Sequence, residues 1–194
     1  MLNKVVKKIL HSIRVHALKI NNPNIQFGRL LRLDYKTNID IRSNSSLIVG
    51  DNVYLRSNSQ GYHVGMSFPT TILIDWPGAE CRIGNNCRIN GAYIHAQKKI
   101  TIGENVVIAA GVNIIDSNGH KLYSQNRTIG RDEPAEIIIK NNVWVGLNSI
   151  ILKGSVIGNN CVVAAGSVVK GHYPDNVLIQ GNPAKVVKNL GAKL

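Results

Sequence analysis

The chemistry available to this sequence sits in a few side chains with informative positions. His120 ends the run Asp116-Ser117-Asn118-Gly119-His120, where the chain leaves a regular pattern and enters a polar stretch. An imidazole titrates near working pH, so it can take the proton of a hydroxyl as that hydroxyl attacks. Asp116, four residues earlier, could orient the ring, as could a backbone carbonyl. His63, His95 and His120 are too scattered to supply the close histidine pairs of a zinc centre, so no metal is expected. The cysteines Cys81, Cys87 and Cys161 are odd in number and lack CxxC spacing, and read as small apolar core residues of a reducing compartment. Lys170, Lys185 and Lys188 place cations near the C-terminus, where they suit phosphate groups.

The element that positions these groups is a repeat of six. Ile139, Val145, Ile151, Ile157, Val163 and Val169 follow one another at that spacing without a break. Ile102, Ile108 and Ile114 form another run, as do Ile83 with Ile89 and Val49 with Leu55. Four residues after each start stands a small or β-branched residue, from Val53 and Ser59 to Ser167, with Tyr93 the one bulky exception. Gly50-Asp51-Asn52, Gly84-Asn85-Asn86, Gly103-Glu104-Asn105 and Gly158-Asn159-Asn160 repeat one turn, and Lys140-Asn141-Asn142 keeps it without the glycine. Asparagine tolerates the left-handed conformation, so a tight corner can recur in every layer. One hexad makes one short strand and three make a triangular coil, with coils stacked about 4.8 Å apart and the hexad starts inside. Aligning Ile89, Ile108, Val145 and Val163 makes Asn90, Ala109, Gly146 and Ala164 the next column, in which only Asn90 has a side chain large enough to reach a ligand. In the same register Trp144 stacks with Arg88, Val107 and Val162.

The pattern resembles the hexapeptide-repeat acyltransferases, over residues 25 to 188 and most clearly from Ile83 onward. That resemblance implies an all-β fold, a left-handed parallel β-helix with a short N-terminal helix and one long inserted loop, residues 116–136. The handedness comes from the family, since the usual crossover preference is right-handed. The boundaries expected are a basic amphipathic helix over 1–22 and the β-helix over 23–190. Among galactoside, maltose and polysaccharide O-acetyltransferases, a histidine at the start of such a loop is the general base, which assigns that role to His120. Asn90 aligns with an active-site asparagine of the galactoside and maltose enzymes, and Trp144 with an aromatic lining the acceptor and cofactor pocket. Leu147 aligns with the residue whose backbone N–H faces the acyl carbonyl, a donor that steadies an oxyanion whatever its side chain. Ala165 with Lys170 and Gly171 aligns with the wall beside the pantetheine arm, and Lys185 and Lys188 with cations that contact coenzyme A. Acetyl-CoA as co-substrate, a carbohydrate acceptor of capsule, lipopolysaccharide or exopolysaccharide type, and a homotrimer with coenzyme A between subunits follow from the same resemblance.

Composition bounds the alternatives. The chain has 194 residues, 44% hydrophobic and 18% charged, which fits one globular domain and excludes a disordered chain. Aromatics are 5% and glycines number 18, so the apolar content is small and aliphatic, as thin stacked layers require. The net charge of +12 calls for an anionic partner. Nucleic acid has only this charge in its favour, with no motif and few aromatics for stacking. No GxGxxG occurs, which disfavours a nucleotide-sugar N-acetyltransferase, and there is no room for the helical domain of a serine acetyltransferase. An N-acetyltransferase on an amino sugar and a non-catalytic β-helix binding module stay open as alternatives. The first twenty residues hold five Lys/Arg and no acid, with Val5, Ile9, Ile13 and Ala17 at every fourth position. This predicts an amphipathic helix that either docks on the domain or rests on an anionic membrane, in a cytoplasmic protein.

Overall fold

The computed structural model describes residues 2–42 and 44–191. Three stacked sheets form the sides of a prism, seven strands on the first face, eight on the second and six on the third, each strand bonded to its counterpart one coil away. All pairings are parallel except the last, where Ala184–Asn189 turns back along Val177–Gly181 and closes the end of the second face. The architecture is a left-handed parallel β-helix of hexapeptide coils.

The hexad starts fill the interior. Ile83, Ile89, Ile102, Ile108, Ile114, Ile139, Val145, Ile151, Ile157, Val163 and Val169 are all buried, as are all three cysteines. The thiol of Cys81 is pushed up to about 12 by burial and that of Cys87 to about 11, so neither is ionised near neutrality. The first-to-second corners carry the asparagines: Asn52, Asn86, Asn105, Asn142 and Asn160 all have φ between 55° and 59°. Their carboxamides link coil to coil, as from Asn142 Nδ2 to Asn160 Oδ1 at 2.9 Å.

Two interior positions differ from the sixfold expectation. Tyr93 is only half-buried and the interior place belongs to Ala92, because the Asn90-Gly91-Ala92 corner is one residue shorter than its counterparts. Ser59 is exposed, and the inner position falls to Thr70, since Thr71 pairs with Tyr93; Ser57 is buried beside it, bonded to Thr37 Oγ1 at 2.8 Å and to the Thr70 N–H at 3.0 Å. Residues 58–69 therefore form a second excursion, and it returns against the Asn90 corner: a Cβ on Gly91 would lie 2.4 Å from Met66 Cγ.

The N-terminal helix runs from Leu2 to Asn21 and ends ahead of Pro23. Val15 and Leu18 pack against the core, and the Arg14 guanidinium donates to the carbonyls of Asp34, Tyr35 and Thr37. At about 100° per residue, Val6, Ile9, Leu10, Ile13, Ala17 and Ile20 share the side turned away from that contact. The large members of this stripe are 47–66% exposed, while the side chain of Val5 lies outside the described residues.

Candidate active site

The residues singled out in sequence divide between two corners of the prism. Asn90, Leu147 and Ala165 lie where the second face turns into the third, with Trp144 on the outer side of the second face and 55% exposed. The expected register of Trp144 with Val107 and Val162 is the observed one. His120, Lys170 and Gly171 lie beyond the third face, where it turns into the first. From Ala165 to Lys170 the chain crosses that whole face, about five residues at about 3.3 Å each, or roughly 16 Å. Ala165 and the pair Lys170 and Gly171 therefore stand at the two ends of that face. Lys185 and Lys188 stand exposed on the closing strand of the second face.

At the second-to-third corner, coil stacking leaves backbone donors unused. Gly146 N–H donates to the Val163 carbonyl and Gly166 N–H to the Leu147 carbonyl, but the N–H groups of Leu147 and Ala165 meet no acceptor among the described residues. Gly146 is required here, because a Cβ would lie 2.7 Å from Ala165 N and 2.8 Å from the Val163 carbonyl oxygen. Asn90 is mostly buried, and one end of its carboxamide is used by the scaffold. It is buried beside the 58–69 excursion, with Nδ2 donating to the Ile108 carbonyl at 2.8 Å and Oδ1 without a donor among the described residues.

Asp116 also differs from expectation. Its fully buried carboxylate accepts the N–H groups of Gln97 at 2.7 Å, Lys98 at 2.8 Å and Lys99 at 2.9 Å, which tie the preceding coil's corner. Burial pushes its carboxyl up, and those three donors offset only part of the rise. Nothing in this arrangement touches His120, which is exposed.

The group that shapes the His120 segment is one the sequence did not reveal, Asp132. Its carboxylate accepts Ser117 Oγ at 2.6 Å, Asn118 N–H at 2.8 Å, Gly119 N–H at 3.1 Å and Lys153 Nζ at 2.6 Å. Burial opposes the charge, yet Lys153, Ser117 and the Asn118 N–H outweigh it and hold this carboxyl at about 2. The loop is thus folded back on its own start, and its ends are pinned to the scaffold. No short spacing announces this closure, because Asp132 is 15 residues from Ser117 and 21 from Lys153.

Beside the loop lies a cleft of about 560 Å³, between Trp76–Ala79 and Gly130–Pro134, floored by Gln97 and Lys98. Asp75 lies beside it, accepting from His95 Nε2 at 2.9 Å and Gln97 Nε2 at 3.1 Å, with Arg131 3.6 Å away. Burial raises the Asp75 carboxyl, but the His95 and Gln97 hydrogen bonds and the Arg131 charge prevail and keep it below its usual range. Among the described residues no three His, Cys, Asp or Glu side chains are grouped as metal ligands.

Comparison with known proteins places this geometry. Residues 136–171 match the family model described as bacterial transferase hexapeptide (six repeats). The chain is 42% identical over 115 residues to Protein CapG of Staphylococcus aureus, covering 57% of this chain and 67% of that protein. It is 37% identical over 114 residues to the putative lipopolysaccharide biosynthesis O-acetyl transferase WbbJ of Escherichia coli K12, covering 54% and 58%. Among solved structures, a galactoside acetyltransferase in complex with coenzyme A superposes with a TM-score of 0.54 at 27% identity, over 83% of this chain and 66% of that one. The chain spans 56–59% of the length of three curated relatives that it matches.

Proposed function

This chain belongs to the hexapeptide-repeat acyltransferases, and from that membership we propose that it transfers an acetyl group from acetyl-CoA to a hydroxyl of a bacterial surface-polysaccharide unit. His120 removes the hydroxyl proton, and the oxygen attacks the thioester carbonyl carbon. The Leu147 N–H donates to the oxyanion that forms, while Asn90 Oδ1 accepts from the acceptor. Collapse breaks the C–S bond, and the proton held by His120 goes to the coenzyme A sulfur. Acyl-enzyme formation is not needed, since no thiol or hydroxyl is activated beside His120. Ala165, Lys170, Gly171, Lys185 and Lys188 hold coenzyme A, and Trp144 flanks the pantetheine arm or the sugar.

The observation that carries this reading is the division of the site. One corner supplies backbone donors with no other use, and the other supplies an exposed histidine on a pinned loop. A cyclic trimer sets one chain's third-to-first corner against its neighbour's second-to-third corner, closing the gap of about 16 Å with head-to-tail contacts. The relatives' names support acetyl transfer to a sugar oxygen, and WbbJ's supports a surface glycan. The exposed helix stripe, on a segment with five cations and no acid, supports peripheral contact with the cytoplasmic face of an anionic membrane, where lipid-linked glycans reside. No helix among the described residues is long and apolar enough to cross a membrane.

The test is acetyl transfer from labelled acetyl-CoA to a panel of bacterial glycans. His120→Ala is expected to reduce turnover by about 10²–10⁴-fold. The product should be an ester, cleaved by hydroxylamine. An amide product would replace O-transfer with N-transfer, and unchanged turnover in His120→Ala would remove the proposed base.

A further inference from the structure

We propose that the cleft beside the inserted loop is the acceptor site and that it is built for an acidic sugar, a pyranose carrying a carboxylate or a phosphate. This rests on the acetyltransferase reading and adds the substrate's charge. The cleft's volume of about 560 Å³ suits a small oligosaccharide fragment. Both of its sides are tied by a carboxylate. Asp116 ties the floor through the N–H groups of Gln97, Lys98 and Lys99, and Asp132 ties the loop wall. Trp76 is 42% exposed, and the Arg131 guanidinium lies 5.6 Å from its ring centroid. An indole held this way offers an apolar platform for the C–H face of a pyranose.

The charge follows from pairing. Asp132 is neutralised by Lys153 at 2.6 Å, and Arg131 by Asp75 at 3.6 Å. That leaves Lys98 and Lys121 as lining cations without an acidic partner among the described residues, against Glu133 as the one lining acid without a cationic partner. Two flexible ammonium groups lining the same cleft as an aromatic platform suit one anionic group on the bound sugar. Lys121 directly follows His120, so the cleft is lined by the same segment that carries the proposed base.

Calorimetric titration of the full chain tests this without requiring turnover. The probes are a uronic acid trisaccharide, a sialyl trisaccharide, a glycosyl phosphate and neutral maltotriose. At least one acidic probe should bind about tenfold more tightly than maltotriose, and the stronger of the carboxylated and phosphorylated sets identifies the source of charge. In K98Q/K121Q, two exposed positions whose change should leave the melting temperature intact, that preference should disappear while maltotriose affinity stays. Trp76→Ala should weaken all saccharides together. Equal binding of acidic and neutral probes, no saccharide binding, or an unchanged preference in K98Q/K121Q overturns the proposal. Coenzyme A titrated in parallel separates the two claims. If it binds normally, such a result removes only the acidic-acceptor assignment, whereas loss of coenzyme A binding removes the acetyltransferase reading itself.

Discussion

Asp132→Ala should cripple catalysis from a residue that has no chemical part in it. Four donors converge on its carboxylate at 2.6–3.1 Å, and the side chain is only 6% exposed. Hydrogen bonds to charged groups are worth about 1.5–3 kcal/mol each, and those sharing one acceptor are not additive. Losing the carboxylate should therefore loosen residues 117–121 by about 2–4 kcal/mol. A displacement of about 1 Å at a reacting group costs on the order of 10²-fold. Turnover should thus fall about 10–100-fold while the KM for acetyl-CoA changes little. Hydrogen exchange at Asn118 and Gly119 should accelerate, whereas the coils should keep their protection. Asp132→Asn should rescue part of the loss, because a carboxamide oxygen still accepts from Ser117 but no longer balances Lys153. The pH dependence has a definite sign. With the folded carboxyl at about 2 against a usual 3.8, the clamp is at full strength above the usual value and is lost as pH falls through the folded one. Unchanged exchange at 118–119 in Asp132→Ala would refute the reasoning, as would a KM effect without a turnover effect.

Gly146→Ala should destabilise the fold by about 2 kcal/mol or more, since its Cβ has no room against the backbone of the next coil. A melting temperature within a degree of wild type contradicts this. Leu30 stands at φ 58° and 76% exposed, at a conformation that asparagine adopts at every other positive-φ non-glycine position among the described residues. Leu30→Asn should therefore raise stability by about 0.5–1 kcal/mol in chemical denaturation, and a loss of stability would contradict the strain argument. Ile9→Glu with Ile13→Glu should abolish sedimentation with anionic liposomes and spare the melting temperature, because both side chains face solvent. Retained sedimentation would end the membrane proposal. The three thiols should resist a disulfide reagent at pH 8 until denaturant is added, and rapid labelling of the native protein would contradict their burial.

What the sequence reveals here follows from what is periodic. Ile139 to Val169 can be read because each occupies the same interior place, and Asn142 and Asn160 because each turns the same corner. Tyr93 and Ser59 mislead because one corner is a residue short and another opens into the 58–69 excursion, neither of which alters residue types enough to show. The function of Asp116 is hidden for a related reason. A carboxylate near a histidine in sequence suggests a partner for it, yet three backbone N–H groups of the previous coil claim it. Asp132 and Lys153 meet only because the loop folds back, which no local spacing encodes. The amphipathic stripe of the N-terminal helix is plain in sequence, but its outward direction is decided by Arg14, Val15 and Leu18 docking on the first coil.

The most direct test of a site shared between two corners is complementation between inactive subunits. His120→Ala and Asn90→Ala chains are each purified, then unfolded and refolded together in equal amounts, and acetyl transfer is measured. If each site takes His120 from one chain and Asn90 from its neighbour, random cyclic trimers should regain about one quarter of wild-type activity. Activity no greater than that of the two variants refolded separately would contradict the account.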